Sequence, residues 1–198
     1  MFALFSSVHC SQVTMLSHEP LQKLDIIAPG SIGAHLPAHV AESIEGRDIV
    51  VFSVTDDASD TADFSARYGF PMEDCANTIV VKYKKDGGEH LAAIVTLGSL
   101  RLDVNGAVKA VLGAKRISFA QRELATEQSA MEFGGITAFG LPANWRVLVD
   151  AGVMERRQVV MGAGIRKAKL LLAPSVLEQL DNVEVAQLTL PPDAPAAA

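Results

Sequence analysis

The stretch Met131-Glu132-Phe133-Gly134-Gly135-Ile136-Thr137-Ala138-Phe139-Gly140-Leu141-Pro142 decides how this chain is read. Two glycines are adjacent, a third follows five residues on, and apolar side chains lie between them with no charge after Glu132. That is an odd composition for a solvated loop. Glycine lacks a Cβ, so it reaches positive φ and lets a ligand come close to the main chain. A buried loop must also find partners for its N–H and C=O groups. Two readings stay open at this point: a tight bend between core strands, or a wall against which a reacting group is held.

Downstream of this stretch, residues 145–149 read as a strand and 151–155 as a short helical turn. Residues 158–161 lead into a second glycine turn, Gly162-Ala163-Gly164-Ile165-Arg166, and 169–172 leave it as a strand. Pro174 suits a helix first turn over 175–180, 183–190 form a last strand, and the Pro/Ala tail 191–198 is expected to be disordered. Upstream, 120–129 and 104–112 are helical in pattern, the latter closed by Gly113, with a strand at 115–119 between them. Residues 75–84 and 89–97 form two strands around Lys85-Asp86-Gly87-Gly88, a hairpin signature. A helix at 61–68 follows N-cap residues at 56–59, a β-branched strand covers 48–54, and 34–45 is helical in pattern with Pro37 near its first turn. Residues 1–33, broken at Pro29-Gly30, read as an extension of low order preceding a domain at 34–190. Strands outnumber long helices, which points to α+β with a mixed, largely antiparallel sheet and surrounding helices.

The 198 residues suffice for one domain with a sizeable core, and 49% hydrophobic against 20% charged residues is a globular composition. No apolar run is long enough to span a bilayer. The first ten residues lack a basic n-region and a cleavage pattern, so no signal peptide is read and the cytoplasm is the expected location. Cys10 and Cys75 suggest no disulfide framework. A net charge of −6 argues against coating of DNA or other nucleic acid without specificity, which needs a broad basic surface. Local clusters remain at Lys82, Lys84 and Lys85, and at Arg156, Arg157, Arg166, Lys167 and Lys169. His35, His39 and Glu42 would share one helix face but lack the grammar of a metal site, so no metal or cofactor is expected.

In order, the hairpin and glycine loops carry Tyr68-Gly69-Phe70-Pro71, Asn77-Thr78-Ile79-Val80-Val81, Ala92-Ala93-Ile94-Val95, Arg101-Leu102-Asp103 and Leu112-Gly113-Ala114-Lys115-Arg116. Ser118-Phe119-Ala120, the loop 134–140, Val147-Leu148-Val149-Asp150 and the loop 162–166 complete the set. This set resembles the YbaK/ProX family of aminoacyl-tRNA editing domains, also found inserted in bacterial prolyl-tRNA synthetases. The resemblance implies a mixed sheet bent around a small pocket that takes the aminoacyl end of a mischarged tRNA and hydrolyses its ester. It also implies that the glycine loop holds the aminoacyl unit and that a lysine at the start of the hairpin strand contacts the terminal adenosine. Asn77, Gly134, Gly135 and Thr137, the only hydroxyl of the loop, are then the expected catalytic positions. Thr78, Ile136, Ala138, Phe139, Gly140, Gly162, Ala163, Gly164, Arg166 and Lys115 are the expected substrate-binding ones. The expected partner is the acceptor end of an aminoacyl-tRNA or a small aminoacyl-like ligand.

The sequence departs from the family pattern twice. Asn77 stands at the lysine position, where a neutral amide supplies hydrogen bonds but no charge. Ala138 stands where proline is common, which removes a fixed φ from the loop. Those departures keep a second function in play, a binding module of the same fold without hydrolysis. Lys82 alternates onto the strand face opposite Asn77, and Lys115 begins a different strand, so neither is an obvious replacement.

Overall fold

The computed structural model describes Pro20 and residues 23–58 and 61–191; Cys10, most of the N-terminal extension and the tail from 192 onward lie outside the described residues. The strands in chain order are β1 (Asp25–Ile26), β2 (Ile49–Ser53), β3 (Ala76–Lys85), β4 (Gly88–Leu97), β5 (Arg116–Phe119), β6 (Arg146–Asp150), β7 (Val159–Gly162), β8 (Ala168–Leu172) and β9 (Val183–Ala186). The α-helices are α1 (Ile32–His35), α2 (Ala38–Ile44), α3 (Thr61–Tyr68), α4 (Lys109–Leu112), α5 (Arg122–Ser129) and α6 (Ala151–Met154). A π-helical turn at Val104–Val108 runs into α4.

The strands form a four-stranded sheet, β1-β2-β8-β7, and a five-stranded sheet, β5-β3-β4-β6-β9. The first is antiparallel throughout. In the second, the hairpin β3-β4 and the β3-β5 pair are antiparallel, while β4-β6 and β6-β9 are parallel. The two sheets meet at one parallel bridge, Cys75 with Val160, so together they behave as a mixed sheet bent at that corner.

Side-chain alternation explains the layering. Ala93, Val95 and Leu97 of β4 face a large core cluster shared with Val51, Met161 and Leu170 of the other sheet, whereas Ala92 and Ile94 face a second cluster with Val108 and Leu112. A strand buried on both faces reads as a continuous apolar run, as Ala92-Ala93-Ile94-Val95 does. On the far side of the four-stranded sheet, Phe52, Cys75, Val160 and Leu171 pack under α3, whose Phe64 and Tyr68 fall one turn apart and stack at 5.0 Å.

The helix expected at 34–45 is in fact two. Leu36 is extended (φ −111°, ψ 159°) and Pro37 caps α2. A residue before proline is driven out of the α region, so His35 is on a different helix from His39 and Glu42, and the single face assumed for the three does not exist. Residues 25–33, expected as part of an extension preceding the domain, contribute edge strand β1 and the core residue Ile27. The last strand ends at Ala186 instead of Leu190. Beyond it, Leu188 donates its N–H to the buried carboxylate of Asp150.

Candidate active-site cavity

A cavity of about 430 Å³ opens at the corner where the two sheets meet. The start of β3 supplies Cys75, Asn77 and Thr78, α3 supplies Thr61 and Phe64, and the end of β7 and β8 supply Gly162 and Lys169. Gly134 and Ile136 of the first glycine loop close one side, and Phe119 and Phe133 stand at the mouth. Those two phenylalanines are 59% and 49% exposed, unusual for large apolar rings and suited to stacking on a flat ligand. The guanidinium of Arg122 lies 4.8 Å from the centre of the Phe133 ring.

The two glycine loops are pressed together main chain to main chain. Gly164 donates to the Gly135 carbonyl at 2.7 Å, and Glu132 donates to the Gly164 carbonyl at 2.9 Å. A Cβ on Gly162 would sit 2.4 Å from the Gly135 oxygen, and one on Gly135 2.5 Å from the Ile165 carbonyl carbon. The tight-bend reading of the opening stretch therefore holds for part of it, and another part borders the cavity. Gly135 serves a close backbone contact, Gly140 (φ +75°) lies against the His39 carbonyl of α2, and Gly134 is the glycine that borders the cavity.

Within this loop the Gly135 N–H is bonded to Glu132 and the Thr137 N–H to the Met131 sulfur. The N–H groups of Gly134 and Ile136, both in cavity-lining residues, have no partner among the described residues. Thr137 is fully buried, its hydroxyl without a partner among the described residues, and like Ala138, Phe139 and Ala163 it does not line the cavity. Ala138 belongs to the shared core and does not line the cavity.

Asn77 accepts a 2.6 Å hydrogen bond from the Thr61 hydroxyl through Oδ1, so what it can offer a ligand is its NH2. Thr78 also borders the cavity, and its buried Oγ1 has no partner among the described residues. Lys115 is exposed and does not reach the cavity. Lys82 is tied to Glu89 at 3.8 Å on the hairpin. Arg166 lines a neighbouring groove with Arg122, Lys167, Asp56 and Glu132, continuous with the cavity through Phe133. Its Nε is 3.2 Å from Asp56, and its backbone N–H donates to Glu132.

Burial raises the Cys75 thiol to about 12, the charge of Lys169 pulling the other way, so a thiolate nucleophile is disfavoured here. Asp103 and Asp150 accept main-chain N–H groups at helix starts and are anchors. Among the cavity residues that the sequence did not single out as site positions are Lys169, Phe119, Phe133 and Thr61. Lys169 sits in an apolar strand and counted only as part of a surface charge cluster, and aromatic exposure has no sequence signature.

A family model for the aminoacyl-tRNA editing domain matches residues 55–180. A search by sequence against curated proteins gives no match. By structure, the chain is similar to the hypothetical protein APE2540 (24% identity, TM-score 0.69, 77% of this chain and 99% of that one). It is similar also to a protein described as a candidate trans-editing enzyme for prolyl tRNA synthetase (18%, TM-score 0.67, 77% and 96%). A third neighbour, described as a candidate signal transduction protein from Marinobacter aquaeolei VT8, is matched over 79% of this chain but 31% of its own length (15%, TM-score 0.57). At these identities the structural likeness speaks for the fold.

Proposed function

The chain belongs to the aminoacyl-tRNA editing domain family, and from that premise we propose that it acts in trans as a deacylase, hydrolysing the ester between a mismatched amino acid and the tRNA acceptor end. The observation that carries this reading is the wall of the cavity, where the N–H groups of Gly134 and Ile136 have no partner among the described residues. Among the described residues the lining holds no His, Asp or Glu. The reading therefore assigns no part to acid–base catalysis by the described lining.

An aminoacyl ester needs little of it. Water adds to the carbonyl carbon, the carbonyl oxygen takes up negative charge, and collapse expels the ribose oxygen, which leaves as a hydroxyl with a proton from the attacking water. Fixed N–H donors aimed at that oxygen lower the barrier without reorganising, and a closed cavity supplies the orientation. On this reading the Asn77 NH2, its oxygen already bonded to Thr61, hydrogen-bonds the ribose or the carbonyl. Phe119 and Phe133 at the mouth suit the terminal base, and the groove with Arg122, Arg166 and Lys167 suits the phosphates that precede it.

The test is deacylation of a panel of mischarged tRNAs, with an active editing domain alongside. No substrate hydrolysed above background would end the proposal. One observation favours a second reading, a module that binds the aminoacyl end without cleaving it: Asn77 is neutral and its oxygen is already engaged by Thr61. On that reading the protein is inactive and Asn77→Lys gains activity; equal activity in both proteins argues against it.

A further inference from the structure

Six successive residues of β3 and its approach, Cys75 to Val80, border the cavity. A strand that turns one face to a space shows it every second side chain. A wall made of successive residues is a strand met edge-on, with its main chain towards the ligand. Hydrogen bonds fix which groups lie on that edge. The Cys75 carbonyl accepts from Gly98 at 2.7 Å, on the β4 side, whereas the Val80 and Lys84 carbonyls accept from Ala120 and Lys115 at 2.9 and 2.8 Å, on the β5 side. Main-chain groups alternate between the two edges of a strand, so the N–H and C=O of Thr78 point away from β4.

On that far edge the sheet is interrupted. β5 pairs with β3 from Val81 onward, and β7 meets it in the single Cys75–Val160 bridge. Thr78 lies in the gap between them and has no ladder partner there among the described residues. An open strand edge is ordinarily covered or blunted, and peptides bind such edges by adding a strand. Here the gap opens into the cavity, whose wall also holds Gly134 and Ile136 of the glycine loop. An aminoacyl group is one residue of such a strand, with an amine on one side and a carbonyl on the other.

Building on the deacylase reading, we propose that the open edge of β3 is the receptor for the substrate's α-amino group, which donates to the Thr78 carbonyl as the N–H of a neighbouring strand would. Among the described residues the lining holds no carboxylate, so a main-chain oxygen takes the part an anion would otherwise play. The Asn77 oxygen is already bonded to the Thr61 hydroxyl. With the amine fixed on β3, the ester carbonyl is left to the N–H groups of the glycine loop. The substrate class follows. Esters with a free α-amino group gain this contact, while an acyl group that lacks the amine, or carries it capped in a peptide or formyl bond, loses it. The site thereby tells an aminoacyl-tRNA from a peptidyl-tRNA.

The experiment uses full-length protein and a series of 3′-aminoacylamido-adenosines, which are not hydrolysed as esters are. The tightest-binding member is compared with its desamino counterpart, identical but for the missing amine. The pair Thr-Ile occurs once in the chain, at Thr78-Ile79, so isotopic labelling of threonine carbonyl carbons and isoleucine nitrogens leaves one correlated NMR signal, that of the Thr78 carbonyl. This signal is expected to move with the amine analogue and much less with the desamino one. The desamino analogue should bind about tenfold more weakly, the worth of one hydrogen bond to a charged group. Thr78→Val, which leaves the main chain in place, should keep that preference. Equal affinity for the two analogues, or binding of the amine with the Thr78 carbonyl unmoved, overturns the assignment. So does a preference lost in Thr78→Val, which would give the amine to the buried hydroxyl. In each of these cases cleavage of the tRNA panel leaves the deacylase reading standing. A panel left uncleaved ends that reading while the analogues still decide the amine contact, and a protein that neither cleaves the panel nor binds any analogue removes both.

Discussion

Between the two glycine loops a single methyl group is enough to force two chains apart. With the Gly135 oxygen 2.4 Å from a Cβ on Gly162, and backbone on both sides, nothing flexible can give way. Gly162→Ala is expected to cost about 1–3 kcal/mol in urea unfolding, the usual range for overpacking, and to lower activity by displacing Gly134. Cys75 is the opposite case, a residue in the cavity wall whose thiol burial keeps protonated. Cys75→Ala should leave kcat unchanged, and in a Cys10→Ser background the buried thiol should resist alkylation in the folded protein. Its raised pKa also has a sign. The thiol is held protonated by folding, so its contribution to stability is complete below its ordinary 9.0 and is lost as pH rises towards about 12. Unfolding free energy measured from pH 8 to 11 should fall less steeply in Cys75→Ala than in the wild type.

Asp150 shows how one element holds another. It is fully buried at the end of β6, and its two oxygens accept the N–H of Gly152 at the start of α6 and of Leu188 beyond β9. Asp150→Ala abandons both, at about 1–3 kcal/mol for each buried N–H; Asp150→Asn, which keeps one acceptor, should lose less in the same urea titration. At this scale much was legible in the sequence. The β3-β4 hairpin follows from two apolar runs around Asp86-Gly87, and α3 follows from Phe64 and Tyr68 one turn apart; both were expected within a residue or two. The parallel pairings of β6 with β4 and β9 were not legible, because a buried strand carries the same apolar run whichever way its neighbour points. The break at Pro37 was written in the residue, but helical periodicity on both sides hid it. Of the expected site positions, Asn77, Thr78, Gly134, Ile136 and Gly162 border the cavity. Gly135, Thr137, Ala138, Phe139, Gly140 and Ala163 do not line it, since sequence spacing places a loop without saying which of its residues faces inward.

For the molecule as a whole, the electrostatics are uneven. The net charge of −6 repels a polyanion on average, yet Arg122, Arg166 and Lys167 gather along the groove that leads from the cavity. The Arg166–Asp56 pair there is half exposed and therefore weak, so Arg166 can turn to a phosphate at little cost. Three such contacts to a single strand predict a slope of log K against log salt of about −2, at roughly 0.7 for each phosphate. Lys167→Ala should flatten that slope. Phe119→Ala should weaken binding by about tenfold at every salt concentration, the loss of one stacked base, and leave the slope alone.

The seam of Gly135, Gly162 and Gly164 also bears on how this protein can change by descent. A joint made of main-chain atoms presents no side chain to vary, so it is kept whole or lost. Ile136, Met161 and Ala125 around the same cavity can each be enlarged or trimmed by a methyl group at a time. Choice of substrate can thus wander through single codon changes while the frame that makes any choice possible stays fixed, an inheritance divided between a locked part and a negotiable one.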